Sequence, residues 1–276
     1  MTEVLDNVSK TCLEALHNAR NSLKFVGEEG RASVPSTKDE PVTKSDLEIS
    51  KILRRYFLHS SLNAVYCSEE AGQINHVSNP DYFIYWDEID GTFNFQRGGI
   101  LPSSVVISVF NANDPLKFRD VFFAGVLDLS SGNLWYAESG KGCFFNGSKT
   151  KSFGKTTLGK NIYTVIDHGP CPKQGSNADV EKFLEVYRST WAHNISSAGV
   201  HLAGVASGNF DVAILPIQKA HELGAGYLLV RESGRYIADF SGNSLDDQIF
   251  NFNNIYQIIA ADTKELGQLL LDKIKK

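Results

Sequence analysis

The chain has 276 residues, of which 42% are hydrophobic, so it is long and apolar enough to bury one large core or two fused smaller ones. Its net charge of -5 disfavours a nucleic-acid-binding or anionic-membrane-binding protein, because a mildly acidic surface repels both kinds of partner. The four cysteines form no C-x-x-C pair and no uncharged apolar stretch approaches membrane-spanning length, so we expect reduced thiols in a soluble cytoplasmic protein with no nucleic-acid or membrane partner.

Two amphipathic helices are predicted at the start of the chain, with a polar loop between them. Apolar residues recur at helical spacing over residues 4–26, and residues 27–40 are polar and interrupted by glycine and proline. A second helical pattern covers residues 47–57. Thr43 and Asp46 have the spacing of a helix-capping pair, so Asp46 has a structural interpretation as well as a chemical one.

Acidic residues follow two predicted strands. Residues 62–67 predict a strand that leads into Glu69, and the aromatic run at 82–86 predicts a strand that leads into Asp87 and Asp90. If the two strand ends are neighbours in a sheet, their carboxylates form one cluster, which is unfavourable unless cations lie among them. Taken alone, each segment is also typical of a solvated acidic turn.

The residues after Asp90 suit a phosphate group. The chain turns at Gly91, where backbone N–H groups are available, and Thr92 offers a hydroxyl. Together with the carboxylates before them, these residues predict a corner that binds a hard divalent cation and a phosphoryl oxygen.

The rest of the chain first predicts an antiparallel sheet and then an alternating pattern. Short strands separated by turn residues are predicted at 104–110, 121–127, 134–137 and 142–145. Strands and helices alternate after them, including a helix at 177–188 and a strand at 210–215, which is typical of an α/β layer. We expect an N-terminal α+β half at 1–155 with the metal-binding motifs and a C-terminal α/β half at 156–276 that completes the active site. His221 and Glu222 lie in the first turn of a predicted helix over 220–231, where an acid also has a capping interpretation.

Several segments of the chain share their pattern with one known family. They are Pro41-Val42-Thr43-Lys44-Ser45-Asp46, Ser68-Glu69-Glu70, Trp86-Asp87-Glu88-Ile89-Asp90-Gly91-Thr92, Gly140-Lys141-Gly142-Cys143-Phe144-Phe145-Asn146-Gly147, Val205-Ala206-Ser207-Gly208-Asn209-Phe210-Asp211 and His221-Glu222-Leu223-Gly224-Ala225-Gly226. In these segments the chain resembles the inositol monophosphatase-like superfamily, whose Mg²⁺-dependent, lithium-sensitive members hydrolyse small phosphate monoesters. The resemblance covers nearly the whole chain. It implies an α/β (α+β) fold, a layered αβαβα sandwich of the inositol monophosphatase and fructose-1,6-bisphosphatase type.

The resemblance also implies a role for individual residues. It implies about two or three Mg²⁺ ions per site, a small phosphorylated metabolite as the partner, and a homodimer. Metal binding is implied for Glu69, Asp87, the Ile89 carbonyl, Asp90 and Glu222; catalysis for Asp46, Thr92 and Glu70; and substrate binding for Gly91, Thr92, Ser196, Ser197 and Ala198. By analogy, Asp46 and Thr92 orient a metal-activated water that attacks the phosphate without a covalent intermediate.

Departures from the family pattern concern the same site. Glu222 is one methylene longer than the usual aspartate, His221 replaces a tryptophan, and Glu88 stands where proline is usual. Leu215 stands where inositol-selective members carry a glutamate, and it cannot accept a hydrogen bond from a sugar hydroxyl. Inositol monophosphate is therefore not the first candidate substrate. A nucleotide 3′-phosphate, a sugar bisphosphate and another small phosphate ester remain possible substrates. A weakly active or inactive member that acts as a binding or regulatory protein is the alternative function.

Overall fold

The computed structural model describes residues 5–23, 28–36, 41–167 and 181–275. Its helices are α1 (Asn7–Leu23), α2 (Lys44–His59), α3 (Thr92–Gln96), α4 (Leu184–Ser189), α5 (Ala198–Ser207), α6 (Ala220–Glu232) and α7 (Lys264–Ile274). Its strands are β1 (Ser33–Val34), β2 (Val42–Thr43), β3 (Ala64–Ser68), β4 (Gly72–Gln73), β5 (Tyr82–Asp90), β6 (Ser104–Asn111), β7 (Val121–Asp128), β8 (Leu134–Glu138), β9 (Gly142–Phe145), β10 (Ser148–Lys149), β11 (Tyr163–Ile166), β12 (Trp191–His193), β13 (Val212–Lys219), β14 (Tyr236–Asp239) and β15 (Ile255–Ala261). In these residues, every helix is too short or too polar to span a membrane.

The strands form two main sheets. The larger sheet has the order β10-β9-β8-β7-β6-β5-β3-β4, in which β3 and β5 are parallel and the other neighbours are antiparallel. The smaller sheet has the order β12-β11-β13-β15-β14, with β11 parallel to both of its neighbours. A short antiparallel ribbon of β1 and β2 precedes α2. The predicted antiparallel sheet and the predicted alternating layer are therefore both present.

Helices cover the faces of the two sheets and complete a five-layer arrangement. Helices α1 and α2 pack on one face of the larger sheet, where Leu16 and Phe57 join Trp86 in one apolar core. Helices α5 and α6 lie between the two sheets, and α4 and α7 cover the outer face of the smaller sheet. Helix α5 is buried along almost its whole length, as expected for a helix enclosed between two layers. The predicted αβαβα sandwich is confirmed.

Some element boundaries differ from the predicted ones. The predicted helix over 4–26 lies partly outside the described residues, as does the helix that the pattern predicts over 177–188. The strand pattern predicts an end at Leu215, whereas β13 continues to Lys219 because a bulge between Leu215 and Gln218 accommodates a proline. The five-residue helix α3 is not predicted, since it is too short to show a helical period.

The pairing of β3 with β5 positions the acidic residues. Because the two strands are parallel, their carboxyl ends lie at the same edge of the sheet, and Ser68 is in register with Trp86. The Glu69 N–H then donates to the Trp86 carbonyl at 3.0 Å. A bulge between Asp87 and Asp90 shifts the alternation of β5 by one residue, so that these two side chains share one side of the strand.

Candidate metal centre

Carboxylates from both halves of the chain converge at the ends of β3 and β5. Glu69, Asp87 and His221 form one group, and Asp87, Asp90 and Glu222 form another; in each group the candidate ligand atoms lie within 4.8 Å of one another. Asp87 is common to both groups. The predicted convergence of Glu69, Asp87 and Asp90 is therefore present, and the Glu222 carboxylate reaches the cluster despite its additional methylene.

Asp87 shows whether these residues suit a metal ion. It is only 2% exposed, and its Oδ1 accepts no hydrogen bond from the residues that the structure describes. Burial raises the pKa of Asp87 well above its ordinary value, and the charges of Glu69, Glu222 and Asp90 raise it further. A buried oxygen among carboxylates is costly without a cation, and carboxylate oxygens are the ligands that hard divalent ions prefer. The donor set therefore fits a divalent metal ion.

Asp90 is held by the start of α5. Its Oδ2 accepts hydrogen bonds from Ser104 Oγ at 2.9 Å, Ser197 Oγ at 2.6 Å and the Gly199 N–H at 2.9 Å, and its Oδ1 accepts from the Ala198 N–H at 3.0 Å. Burial raises the pKa of Asp90 to about 6, although the hydrogen bonds from Ser197 and Ser104 oppose this shift. Ser197 and Ala198, which the resemblance assigns to substrate binding, thus donate to a candidate metal ligand.

Gly91 and Ser196 bring two loops into close contact. Gly91 has a φ of 83°, and a Cβ at this position would lie 3.0 Å from the Ser196 carbonyl oxygen, so a larger residue would force the loops apart. Ser196 itself has a φ of 48° and is exposed, with its hydroxyl donating to Asn194. Among the three residues of the predicted substrate loop, Ser196 therefore presents its side chain to solvent.

Asp46 caps helix α2. Its Oδ2 accepts hydrogen bonds from the Thr43 N–H at 2.7 Å and from the Thr43 hydroxyl, and the Asp46 N–H donates to Thr43 Oγ1 at 3.3 Å. Burial raises the pKa of Asp46 to about 7; the Thr43 hydrogen bonds lower it, and the charges of Glu70 and Glu69 raise it. The structural interpretation of Asp46 is therefore correct, and its carboxylate also lies in the electrostatic field of the cluster.

The Thr92 hydroxyl contacts the backbone at the end of β5. Its hydroxyl donates to the Ile89 carbonyl at 2.8 Å, and in the described part of the chain it has no direct hydrogen bond with Asp46, whose carboxylate is engaged by Thr43. Thr92 and Ile89 line a small cavity of about 20 Å³ together with the acidic cluster and Glu70. Ile89, Thr92 and Glu70 therefore lie beside the acidic cluster, and their roles in metal binding and catalysis stay predictions.

Glu88 is a buried acid behind the cluster whose role the sequence does not predict. Glu88 lies in the bulge of β5, between Asp87 and Asp90 in sequence. Its carboxylate accepts hydrogen bonds from Trp86 Nε1 at 2.9 Å, from the Glu70 N–H at 3.4 Å and from the Ser68 hydroxyl. Burial raises the pKa of Glu88 to about 7, and hydrogen bonds oppose the shift. Glu88 therefore connects the ends of β3 and β5. An acid in place of the usual proline is the signal that could have indicated it.

Three polar residues around the start of α6 also face the cluster. His221 Nε2 lies 3.4 Å from Glu69 Oε1, 3.7 Å from Glu222 Oε1 and 3.8 Å from Asp87 Oδ2. Lys219 Nζ lies 3.2 Å from the same Glu69 oxygen, and Gln218 donates to Glu222. From the sequence, His221 is noted only because it replaces a tryptophan and so changes the packing. The sequence gives no signal for Lys219, because the position of this lysine depends on the bulge in β13.

Comparisons with known proteins agree with this fold. The model of the inositol monophosphatase family matches residues 1–276. The chain is 28% identical over 212 residues to the fructose-1,6-bisphosphatase/inositol-1-monophosphatase of Archaeoglobus fulgidus, covering 75% of this chain and 74% of that protein. It is 26% identical over 263 residues to inositol monophosphatase 2 of Homo sapiens, covering 91% and 84%. The crystal structure of the extragenic suppressor protein suhB from Bartonella henselae is similar to this structure with a TM-score of 0.83 and 21% identity, covering 98% of this chain and 99% of that one.

The fold and the acidic site define the class of protein, a phosphatase of small phosphate esters. The chain belongs to the inositol monophosphatase family. Like the relatives named above, it is a phosphoric monoester hydrolase.

Proposed function

We propose that the chain hydrolyses a small phosphate monoester with divalent metal ions, with Mg²⁺ as the ion implied by the resemblance. Glu69, Asp87 and the Ile89 carbonyl hold one ion, and Asp87, Asp90 and Glu222 hold the other. The observation that carries this proposal is the convergence of three other carboxylates on Asp87, whose buried Oδ1 accepts no hydrogen bond from the described residues.

The remaining residues of the site bind and orient the phosphate and the attacking water. When bound, the metal ions neutralise the phosphoryl oxygens and lower the pKa of a water molecule. Gly91 and Thr92 follow Asp90 directly and line the same cavity, so they bind the phosphoryl group. Asp46 and Glu70 orient the water, and burial suits Asp46 to accepting a proton because it raises the pKa of that carboxyl to about 7.

Leu215 bears on the choice of substrate. It is fully buried in the core between the sheets and offers no hydrogen bond to a hydroxyl group. Because the resemblance places a glutamate at this position in inositol-selective members, we expect inositol monophosphate to be a less favourable substrate than a sugar bisphosphate, a nucleotide 3′-phosphate or another small phosphate ester. One relative is named for activity on both fructose-1,6-bisphosphate and inositol 1-phosphate, which supports testing both classes.

A panel of phosphate esters, scored by released phosphate with and without Mg²⁺, tests the proposal. We expect Asp87→Asn to lower kcat at least a thousandfold, because it removes the carboxylate shared by both ion positions. Asp239→Asn is the matched control, since Asp239 caps a turn at the end of β14 with hydrogen bonds to Ser241 and Asn243, and it should retain full activity. Undiminished Mg²⁺-dependent turnover by Asp87→Asn would remove the proposed metal role.

The contact between Lys219 and Glu69 favours the alternative function, that of a binding or regulatory protein with little or no turnover. The ammonium group of Lys219 lies 3.2 Å from a carboxylate that the proposal assigns to a metal ion. A member in which this lysine replaces an ion would bind a phosphate ester without efficient turnover. Absence of Mg²⁺-dependent phosphate release across the panel, with a correctly folded chain, would support this binding function. Lithium sensitivity, a homodimer and a cytoplasmic location stay predictions from the sequence and the resemblance.

A further inference from the structure

We propose that His221 is a metal ligand and that the ion position formed by Glu69, Asp87 and His221 takes a borderline transition metal such as Mn²⁺ or Co²⁺ in preference to Mg²⁺. The inference deepens the proposed function and rests on it, because it assumes that the cluster binds divalent ions. It concerns the chemistry of one ion position and is separate from the nature of the phosphate ester.

The position of the imidazole supports a shared ion. Nε2 lies 3.4 Å from Glu69 Oε1 and 3.8 Å from Asp87 Oδ2. Ligand atoms that bind one ion at about 2.1 Å lie roughly 3.0–3.5 Å apart in tetrahedral or octahedral geometry. The separation of Nε2 from Glu69 falls in this range, and its separation from Asp87 exceeds the range by about 0.3 Å, so the imidazole lies close to the spacing of a ligand shared with these carboxylates.

Asp87 provides the second, independent observation. It is almost completely buried, its Oδ1 accepts no hydrogen bond from the described residues, and it belongs to the same group of ligand atoms as His221. The cluster therefore contains an oxygen that its protein surroundings leave unsatisfied. An ion bound by the Asp87 carboxylate, whose Oδ2 lies 3.8 Å from the imidazole Nε2, supplies an interaction that the protein surroundings of this carboxylate lack.

Helix α6 fixes the imidazole where it is. His221 is 4% exposed, lies in the first turn of α6, and its ring centroid is 5.6 Å from that of Phe252. One turn further on, a Cβ at Gly224 would lie 2.9 Å from Ser108 Oγ and 3.1 Å from Phe110, so the helix packs directly on the larger sheet. Close packing of this kind restricts the ring and preorganises its nitrogen for a ligand.

The donor set decides which ion is favoured. Mg²⁺ prefers oxygen ligands and retains several waters, whereas an imidazole nitrogen beside two carboxylates raises the affinity for Mn²⁺ and still more for Co²⁺ and Zn²⁺. The other group, formed by Asp87, Asp90 and Glu222, contains only oxygen ligands. We therefore infer that the two ion positions differ in metal preference.

Pulsed electron paramagnetic resonance with Mn²⁺ alone tests the inference directly. We expect bound Mn²⁺ to show hyperfine coupling to ¹⁴N, replaced by coupling to ¹⁵N when the histidines are isotopically labelled. His221→Phe keeps a planar ring beside Phe252 and removes the nitrogen, so the coupling should disappear and the Mn²⁺ affinity should fall at least tenfold. Calorimetry with Mg²⁺ should show a much smaller loss.

Two further variants make the assignment secure. His17→Phe is the matched control, because His17 is exposed on α1 and should leave the coupling unchanged. Circular dichroism verifies that each variant is folded, and His221→Gln serves if the phenylalanine is not tolerated. A wild-type spectrum without nitrogen coupling, or unchanged Mn²⁺ binding by a folded His221 variant, would overturn the inference while Mg²⁺-dependent phosphate release stands. Absence of any ion binding by the wild type would overturn the proposed function as well.

Discussion

Lys219 places a positive charge on one of the proposed metal ligands. Its Nζ lies 3.2 Å from Glu69 Oε1, and the side chain is 37% exposed. An ion that binds Glu69 has to displace this ammonium group, so we expect Lys219→Met to bind Mg²⁺ about three to five times more tightly. The gain corresponds to at most about 1 kcal/mol, as expected for a partly exposed ion pair. Isothermal titration calorimetry with Mg²⁺ measures it.

A lysine on the surface of α2 provides the control for this experiment. Lys51 Nζ lies 3.6 Å from Glu48 Oε2, and both side chains are largely exposed, so Lys51→Met should leave Mg²⁺ affinity unchanged. Weaker Mg²⁺ binding by Lys219→Met would contradict the prediction. It would show that the ammonium group assists the site instead of competing with the ion.

The same residues show how far single positions can be predicted. Glu69 follows β3, and Asp87 and Asp90 lie at the carboxyl end of β5. The apolar patterns of both strands are clear, so the convergence of these acids follows once the strands adjoin. The contacts of Lys219 and His221 could not be predicted in this way. They depend on where the bulge in β13 turns the chain into α6, and a bulge has no reliable sequence pattern.

At the scale of elements, the start of α5 positions a candidate metal ligand that lies more than a hundred residues earlier in the chain. The Ser197 hydroxyl donates to Asp90 at 2.6 Å in a buried setting. Hydrogen bonds to charged groups are worth about 1.5–3 kcal/mol, so we expect Ser197→Ala to lower the free energy of unfolding by about 1.5–3 kcal/mol at pH 8 without added metal. Urea denaturation followed by circular dichroism measures the change.

The neighbouring serine makes a matched comparison. Ser196 is exposed and its hydroxyl donates to Asn194 Oδ1 at 3.1 Å, so Ser196→Ala should change stability by less than about 0.5 kcal/mol. An equal loss in the two variants would mean that the contact with Asp90 is not the reason for the loss at Ser197. The resemblance predicts a common role for these serines, whereas the structure separates them.

Which elements the sequence could predict follows from their length and periodicity. Helices α1 and α2 and the antiparallel strands from β6 to β9 have clear periods, and they are found close to the predicted positions. Helix α3 is too short for a period, and the orientation of Glu88 depends on a bulge that exists only when β5 pairs with β6. Local pattern therefore predicts the elements, whereas pairing between elements decides which side chains reach the site.

At the scale of the whole molecule, the site joins the two sheets. Glu69, Asp87 and Asp90 lie at the edge of the larger sheet, and His221 and Glu222 lie on α6, which follows the last residue of β13 in the smaller sheet. Residues so far apart in sequence meet only because α5 and α6 are enclosed between the sheets. No spacing rule predicts such a meeting, which is why the resemblance had to supply the role of Glu222.

His201 lies on α5 and is buried because this helix is enclosed between the sheets. We expect this histidine to make the stability of the fold fall at acidic pH. His201 is fully buried, and burial lowers its pKa to about 4, although Asp167, with Oδ2 3.4 Å from Nδ1, acts in the opposite direction. The unfolded chain therefore binds a proton below about pH 6.5 that the folded chain does not bind until about pH 4, so stability falls as the pH falls through this window. Between pH 7 and pH 4, we expect the free energy of unfolding of the wild type to fall by about 2–3 kcal/mol more than that of His201→Leu. Urea denaturation at each pH measures this difference. His59→Leu, at an exposed histidine of α2, should follow the wild type, and parallel stability curves for wild type and His201→Leu would contradict the prediction.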